Sequence, residues 1–262
     1  MLVLALVLAS SVVTAAEHIK IGGSGTGLGT MRLLADEFTA KNPDTDVTIL
    51  PSLGSGGGIR AVAAGAIDIA VTARPMTESE HGLGTIEIEY ARTPLVFAVS
   101  ARSKVTAISS RELAEIYAGE LVTWADGSPV RIVLRQTTDT DTEIVRNISP
   151  EVRRGLTAAE ARPGVRFAAT DQEAADDLER IPGAIGPIAL AVIVSEKRAL
   201  RALTLDGKEP TPRNAAAGAY PHYKRLFLVT GAKRSTAVER FLAYVQSGAG
   251  QKILNSNGQW VP

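Results

Sequence analysis

The chain has 262 residues, of which 45% are hydrophobic and 21% charged, and its 28 basic residues balance its 28 acidic ones. This neutrality removes the attraction to nucleic acid or to a membrane surface that an excess of Lys and Arg provides, so no nucleic-acid partner is expected. Aromatic residues, at 5%, are too few for a sugar-stacking site or a platform for single strands. The composition predicts a soluble protein with one large core or two smaller ones.

Residues 1–16, MLVLALVLASSVVTAA, are the membrane-like segment of the sequence. The apolar run ends near Val13, which is too short to span a bilayer comfortably, and small residues follow it. We interpret residues 1–16 as a cleavable signal peptide, with the mature chain beginning near Glu17 in the periplasm. A basic n-region is missing, and a buried first strand or helix is the alternative. The chain has no cysteine, which excludes disulfides and a lipidated cysteine.

Strands and helices alternate over the first 75 residues. The pattern predicts strand 18–22, helix 30–40, strand 46–50, helix 59–66 and strand 68–72. A glycine-rich loop precedes each helix, at 23–29 and at 52–58. This order indicates a doubly wound α/β fold, with both loops at the carboxyl ends of parallel strands, where such sheets bind their ligands.

The sequence of the second loop, Ser52–Gly58, predicts an anion-binding site. Glycines allow backbone N–H groups to approach a ligand closely. The first N–H groups of a helix have no partners within it, and its macrodipole places partial positive charge there. The same pattern also forms plain tight turns. The first loop does not fit GxGxxG and no GxxxxGK[ST] occurs, so neither a dinucleotide site nor a P-loop is indicated.

Residues 86–100 form a long extended run that contains Pro94, and we interpret it as the passage from a first lobe to a second. Ser109 and Glu112 predict a capping box for a helix that runs to Ala118. Strand 130–134 leads into a third polar loop, 135–142, which holds one arginine, two aspartates and several hydroxyls.

The remaining pattern predicts helices over 157–162, 170–180 and 238–245, and strands over 185–194, 200–205 and 223–230. The last of these strands is expected to pair with residues 94–100 at the lobe junction.

Four motifs, in this order, resemble the periplasmic phosphate-binding proteins of ABC transporters over nearly the whole mature chain. They are GGSGTG (22–27), GSGGGI (54–59), DIAVTARP (68–75) and ELAEIYAGELVTWADGSPVRIVLR (112–135). The resemblance implies an α/β, two-lobed, type II periplasmic-binding-protein-like fold. Each lobe is then a mostly parallel sheet flanked by helices, and two crossing strands join them. We expect residues 17–92 and 200–262 in lobe I and 93–199 in lobe II.

The function that this resemblance implies is capture of phosphate, or a similar tetrahedral oxyanion, in the cleft between the lobes and its delivery to an ABC permease. A monomer without cofactor, metal or enzymatic activity is expected. The alternatives are a binding protein for sulfate, molybdate or tungstate, a sensory anion-binding protein, and a hydrolase. Ser55 is not in a GxSxG motif, and His18, His81 and His222 are isolated, so no catalytic or metal-binding set is indicated.

The ligand-binding residues that the resemblance and the loops imply come from four segments. They are Ser24, Gly25, Thr26, Ser55, Gly56, Gly57, Arg74, Arg135, Asp139, Thr140, Asp141 and Thr142.

Several of these residues have a second interpretation. Arg135 is either an anion ligand or part of a surface salt bridge, and Arg74 is either a ligand or the partner of Glu78 or Glu80. The sequence departs from the family at Ala73, where a side chain that exchanges a proton with the ligand is missing, and in the third loop, where the family has GSGT. Asp139 and Asp141 there are either helix N-caps or acceptors for a protonated oxyanion.

Overall fold

The structure is a computed structural model that describes residues 17–262, so the expected signal peptide lies outside the described residues. The strands of this part of the chain are β1 (Glu17–Gly23), β2 (Thr45–Ser52), β3 (Ile69–Thr72), β4 (Thr85–Ser100), β5 (Ala107–Ile108), β6 (Arg131–Arg135), β7 (Arg166–Ala168), β8 (Ala184–Ala189), β9 (Leu200–Ala202), β10 (Thr204–Leu205) and β11 (Tyr223–Gly231). The helices are α1 (Gly25–Lys41), α2 (Gly54–Ala63), α3 (Glu78–His81), α4 (Ser110–Ala118), α5 (Thr140–Arg146), α6 (Pro150–Glu160), α7 (Asp171–Arg180), α8 (Leu190–Ser195), α9 (Pro212–Ala216), α10 (Thr236–Gln246) and α11 (Gly248–Ser256).

The main sheet has the strand order β2-β1-β3-β11-β4-β8-β6-β7, and β9 also pairs with β4. Lobe I contains the parallel group β2, β1 and β3, and lobe II contains the parallel group β8, β6 and β7. The antiparallel strands β4 and β11 lie between the two groups. The α/β fold with two lobes and two crossing strands is therefore confirmed.

Strand β4 belongs to both lobes. Its residues 85–94 pair with β11, and residues 95–98 pair with β8. Pro94, which has no N–H to donate, lies where the partner changes. The predicted pairing of residues 223–230 with 94–100 is wrong except at Pro94, because β8 and β9 occupy β4 beyond that point.

Lobe I is held together by one apolar cluster on the side of α1 and α10. Ile19 and Ile21 of β1 are fully buried there against Leu34 of α1. Phe38 and Phe241 meet edge to face, with ring centroids 5.2 Å apart. A second cluster under α2 covers the other face of this sheet. Helices on both faces bury β3 completely, which explains its uninterrupted apolar sequence.

Lobe II extends further along the chain than expected. Leu203, Leu205 and Tyr220 pack in the same cluster as Phe97, and the Tyr220 hydroxyl donates to the Leu95 carbonyl at 2.8 Å. Residues 200–222 therefore belong with lobe II, and the predicted boundary at residue 200 is wrong. The chain returns to lobe I through β11.

Two other predicted elements differ from the structure. The apolar run 185–194 is not one strand: β8 ends at Ala189 and α8 begins at Leu190. Helix α2 begins at Gly54 and not at Ile59, so the glycine-rich loop forms its first turn. The Ser109–Glu112 capping box is confirmed. Within residues 17–262, none of the helices combines the length and the apolar character that a membrane crossing requires.

Candidate ligand cleft between the lobes

Strand-to-helix connections from both lobes meet at one cleft. Helices α1 and α2 follow β1 and β2 in lobe I, and α5 and α7 follow β6 and β7 in lobe II. The lobes touch across its inner end, where Thr26 Oγ1 donates to Asp171 Oδ1 at 2.9 Å. Gln172 Nε2 also donates to the Gly25 carbonyl at 3.1 Å. The fold thus brings the predicted loops together, and contacts between the two lobes close the inner end of the cleft.

Five charged side chains fill this inner end, and we call them the inner cluster: Arg135, Asp139, Asp141, Asp171 and Lys224. All but Asp139 are almost completely buried, with Asp141 at 0% and Lys224 at 2% exposure. Asp139 keeps 22% of its side chain exposed and faces the open part of the cleft. Buried charges are rare unless they are paired, so the pairing inside this cluster decides its chemistry.

Lys224 joins the two lobes from the crossing strand β11. Its ammonium lies 2.5 Å from Asp141 Oδ1 and 3.6 Å from Asp171 Oδ1, both in lobe II. It also donates to Thr26 Oγ1 of lobe I at 2.7 Å. The ammonium has three protons to donate, and these three neighbours surround it.

Arg135 is also surrounded by protein groups, although its Nε has no hydrogen-bond partner among the described residues. Its Nη2 lies 2.7 Å from Asp139 Oδ2 and 3.7 Å from Asp171 Oδ2, and its Nε lies 3.6 Å from Asp141 Oδ2. Its Nη1 donates to the Ala168 carbonyl at 3.1 Å. Arg135 is therefore neither a surface residue nor an open guanidinium, because carboxylates stand where an anion would contact it.

The inner cluster carries an excess of negative charge, since two cations face three carboxylates. Burial raises the pKa of Asp141 to about 6, against the opposing effect of the Lys224 charge. Burial also acts to raise the pKa of Asp171, but Lys224, Arg135 and the Thr26 hydroxyl outweigh it and lower that pKa. The carboxylates in turn raise the pKa of Lys224 despite its burial, so the lysine stays charged.

The remaining predicted residues of this inner end are engaged in the scaffold. Ser24 caps α1, where its Oγ accepts from the Thr26 N–H at 3.4 Å. The Gly25 N–H donates to Ser52 Oγ at 3.1 Å. Thr142 Oγ1 donates to the Gln136 carbonyl at 2.8 Å. These contacts position the loops.

Asp139 combines two roles in the structure. It is the N-cap of α5, where its Oδ1 accepts from the Asp141 N–H at 2.9 Å, and its other oxygen pairs with Arg135. The helix-cap interpretation of Asp139 therefore matches the geometry. Asp141 lies inside the first turn of α5 and makes no cap; its carboxylate faces Lys224.

Beyond the inner cluster the cleft is open, with a volume of about 530 Å³, and we call this part the outer cleft. Lobe I lines it with residues 52–57, Arg60 and Arg74, and lobe II lines it with Gln136, 138–140 and 169–170. The predicted ligand residues Ser55, Gly56, Gly57, Arg74, Asp139 and Thr140 are all among them. The twelve predicted residues are thus divided between a closed inner end and an open outer one.

The first turn of α2 faces the outer cleft without a side-chain cap, because its N-cap residue is Leu53. Ser55 Oγ accepts from the Ala73 N–H at 3.1 Å and keeps its own proton to donate. A Cβ added at Gly56 would stand 3.3 Å from Arg60 Nη1 and 3.6 Å from Arg74 Nη2. Two guanidinium groups therefore flank a helix N-terminus, which is an arrangement that attracts anions.

The two arginines of the outer cleft differ in their partners. Arg74 forms a two-point ion pair with Glu80, with N–O distances of 2.7 and 2.8 Å. Of the two interpretations of Arg74, the geometry therefore shows the structural pair with Glu80. Arg60 is exposed and makes no ion pair with any residue of the described chain. Arg60 was not recognised as a candidate from sequence, because its position within an apolar helix gives no motif.

Lys224 and Asp171 were also missed. Lys224 could have been noticed, since strand alternation places its charge on the same face as Leu226 and Leu228, opposite the buried Thr93. Asp171 follows the N-cap Thr170 and looks like any acidic residue in a first helical turn. Among residues 17–262 there is no group of His, Asp and Glu side chains arranged to hold a metal ion.

Comparison with known proteins agrees with this architecture. The chain is 26% identical to the phosphate-binding protein PstS of Bacillus subtilis over 257 residues, covering 95% of this chain and 81% of that relative. It is 24% identical to PstS of Borreliella burgdorferi, covering 92% and 88%. A phosphate ABC transporter substrate-binding protein from Clostridium perfringens, solved with bound phosphate, has the same fold, with a TM-score of 0.79 at 21% identity, covering 94% of this chain and all of that one. The domain model of the PBP superfamily matches residues 9–249, and the chain therefore belongs to that superfamily.

Proposed function

We propose that this protein is an extracytoplasmic receptor that binds phosphate, or a similar tetrahedral oxyanion, between its lobes and delivers it to an ABC permease. The observation that carries this proposal is the cleft itself, where an uncapped helix N-terminus and two guanidinium groups of lobe I face polar loops of lobe II. The names of the relatives, which are phosphate-binding proteins and a phosphate ABC transporter substrate-binding protein, support the same ligand class.

The affinity that such a receptor needs is within reach of this cleft. A hydrogen bond to a charged group contributes roughly 1.5–3 kcal/mol net, and a micromolar Kd corresponds to about 8 kcal/mol. The N–H groups of the first turn of α2, the Ser55 hydroxyl and the Arg60 guanidinium supply enough donors. Export through residues 1–16 and action as a monomer are parts of the proposal, as is the absence of enzymatic activity.

Discrimination among oxyanions is expected to depend on Asp139. Its carboxylate, which faces the outer cleft, accepts hydrogen bonds but has none to donate when ionised. Phosphate near neutral pH carries a proton that it can donate to such an acceptor, whereas sulfate, molybdate and tungstate carry none. This carboxylate therefore favours phosphate over the three alternative dianions.

A ligand panel on the mature, ligand-stripped protein tests the proposal. A ligand that binds only the folded state adds about 4 kcal/mol of stability at a thousandfold excess over its Kd, so phosphate is expected to raise Tm clearly. Calorimetry then gives each affinity directly, with chloride as the control anion. If molybdate or sulfate raises Tm and phosphate does not, the ligand is that other oxyanion. If no phosphate compound and no oxyanion binds, the proposed receptor function is wrong.

A further inference from the structure

The carboxylate of Asp171 lies between the two lobes and faces a donor from each part of the fold. Its Oδ1 accepts from the Thr26 hydroxyl of lobe I at 2.9 Å and lies 3.6 Å from the ammonium of Lys224 on the crossing strand. Its Oδ2 lies 3.7 Å from Arg135 Nη2 of lobe II. The side chain is only 4% exposed, so these groups replace the water that a free carboxylate binds. An anionic group of the protein itself therefore joins the lobes.

Thr26 extends this contact to the crossing strand. Its hydroxyl oxygen accepts from the Lys224 ammonium at 2.7 Å, while its proton is donated to Asp171. Thr26 is completely buried, and a hydroxyl can donate and accept at the same time. A chain of three polar groups, which we call the latch, therefore runs from Lys224 of the crossing strand through Thr26 of lobe I to Asp171 of lobe II.

Two glycines of α1 permit the same close approach of the lobes. A Cβ added at Gly25 would stand 2.9 Å from Asp171 Oδ2 and 3.1 Å from the Asp171 Cβ. A Cβ added at Gly29 would clash with Ser195 Oγ and stand 2.8 Å from Glu196 Cγ, both in lobe II. Neither glycine has a positive φ, so the local backbone does not require glycine at these positions. The sequence of α1 is therefore adapted to lobe II at close range, independently of the latch.

We propose that Asp171 acts as an internal anion that keeps the lobes closed, so that closure does not depend on a ligand. The anion of the outer cleft is then exchanged between lobes that stay together. The surface that the protein presents to its permease is the same with and without that anion. This last consequence rests on the proposed receptor function, whereas the latch itself does not.

Small-angle scattering on the ligand-stripped protein tests whether closure is independent of the ligand. The parent is expected to have the same radius of gyration in phosphate-free buffer and in phosphate that calorimetry shows to be saturating. A radius that falls when phosphate binds would overturn the latch and leave the receptor function standing.

Two variants test the latch by scattering without any ligand. Thr26→Val keeps the shape of the side chain and removes the hydroxyl, and it is expected to have a larger radius of gyration than the parent. Gly25→Ala keeps every charge and inserts a methyl group between the lobes, and it is expected to have a larger radius as well. Parental radii in both variants would overturn the latch, whether or not an oxyanion binds to the outer cleft.

A free carboxylate can replace the internal one if Asp171 has the proposed role. Asp171→Ala leaves the donors of Thr26, Lys224 and Arg135 in place, and formate has the size of the group that is removed. The variant is expected to have a larger radius of gyration than the parent and a lower Tm. Formate is expected to reverse both changes in part, whereas chloride at the same concentration is expected not to do so.

Asp177→Ala is the matched control, because Asp177 is a buried carboxylate on the same helix. Its partners Arg166 and Arg180 both belong to lobe II, at 2.5 and 2.8 Å. This variant is expected to lose stability and to keep the parental radius of gyration, with or without formate. An Asp171→Ala protein of parental radius, or one that chloride closes as well as formate does, would overturn the role of Asp171 as an internal anion.

Discussion

The inner cluster and the outer cleft are built from the same loops and yet have opposite chemistry. In the inner cluster, Arg135 and Lys224 are buried against three carboxylates, and every charge is directed at another charge of the protein. In the outer cleft, Arg60 is exposed, and the hydroxyls of Thr138 and Thr140 make no hydrogen bond to another side chain of residues 17–262. The comparison shows that the loop position of an arginine does not by itself tell whether its guanidinium is paired with carboxylates of the protein.

Solvation explains why the two regions differ. A buried ion loses its hydration, and only close partners of opposite charge compensate for that loss. Full burial of Arg135 and Lys224 therefore requires Asp141 and Asp171 to be close, and water is excluded from their donors. An exposed guanidinium such as Arg60 retains water, which a ligand can displace. The inner cluster is thus suited to holding the lobes together and the outer cleft to exchanging a ligand.

The largest expected effect is that of Lys224→Met, which removes the central cation of the inner cluster. Asp141 and Asp171 would remain buried with only Arg135 as a positive neighbour. Breaking a buried ion pair on one side costs about 3–5 kcal/mol, and urea denaturation is expected to show a loss of unfolding free energy of this size.

Lys41→Met is the control for Lys224→Met, since Lys41 pairs with Glu37 on the surface at 3.4 Å. Such a pair contributes at most about 0.5 kcal/mol. Equal losses for the two lysine variants would contradict the role assigned to the inner cluster.

The next effect is a pH dependence that comes from Asp141. Burial raises the pKa of its carboxyl from 3.8 to about 6, so the folded protein binds this proton more tightly than the unfolded chain does. The associated stability is fully present below about pH 4 and is lost as the pH rises through 6. In Asp141→Asn this dependence disappears, and between these pH values the variant gains up to about 3 kcal/mol relative to the parent.

Denaturation of both proteins across that pH range measures the difference. The opposite dependence of Asp171, whose pKa is lowered from 3.8, falls below about pH 4 and therefore lies outside this window. A constant difference between the two proteins at every pH would show that the Asp141 carboxyl does not titrate in this window.

Gly58→Ala affects the outer cleft through its support. A Cβ at residue 58 would stand 2.8 Å from the Gly23 Cα and 3.0 Å from the Ala70 Cβ, so α2 must move away from the sheet. Overpacking of this kind costs about 1–3 kcal/mol, and displacement of α2 is expected to weaken anion binding in calorimetry as well. Gly248→Ala, where a Cβ meets nothing within 4 Å, is the control and should be neutral or slightly stabilising. Unchanged stability and affinity in Gly58→Ala would show that α2 adapts without consequence.

Much of the fold was predictable because its signals are local. Apolar periodicity, the glycine loops and the Ser109 cap each predicted an element that the structure contains. The lobe boundary at residue 200 was wrong because Leu203 and Tyr220 are placed by contacts with Phe97 and Leu95, which are far away in sequence. The apolar pattern of residues 223–230 predicted a strand but not its register against β4. That register depends on β8, which pairs with residues 95–98 of β4 and leaves residues 85–94 to β11.

The site was predictable in its position and not in its charge pairing. The loops that hold Thr26, Ser55 and Arg135 all reach the cleft, as strand order alone requires. The partners of Arg135 could not be predicted, because Asp171 and Lys224 belong to distant segments that approach only after the two lobes meet. A residue pattern identifies a strand end, but the burial that separates a structural arginine from an available one is a property of the whole fold.

The smallest expected effect is that of Arg74→Ala, which tests the arginine that one sequence interpretation made an anion ligand. Hydrogen bonds from Arg74 lower the pKa of Glu80 to about 2, so this pair stabilises the protein above about pH 4.5 and loses its effect as the pH falls towards 2. Because both side chains are partly exposed, at 30% and 15%, the expected loss at neutral pH is only about 1 kcal/mol. Denaturation near pH 7 should show this loss of unfolding free energy, and denaturation near pH 3 should show a smaller loss.

Since Glu80 already neutralises the guanidinium of Arg74, the anion affinity of Arg74→Ala is expected to fall less than that of Arg60→Ala. An Arg74→Ala protein of parental stability that no longer binds any phosphate compound would reverse the comparison, because Arg74 would then be the free cation of the outer cleft.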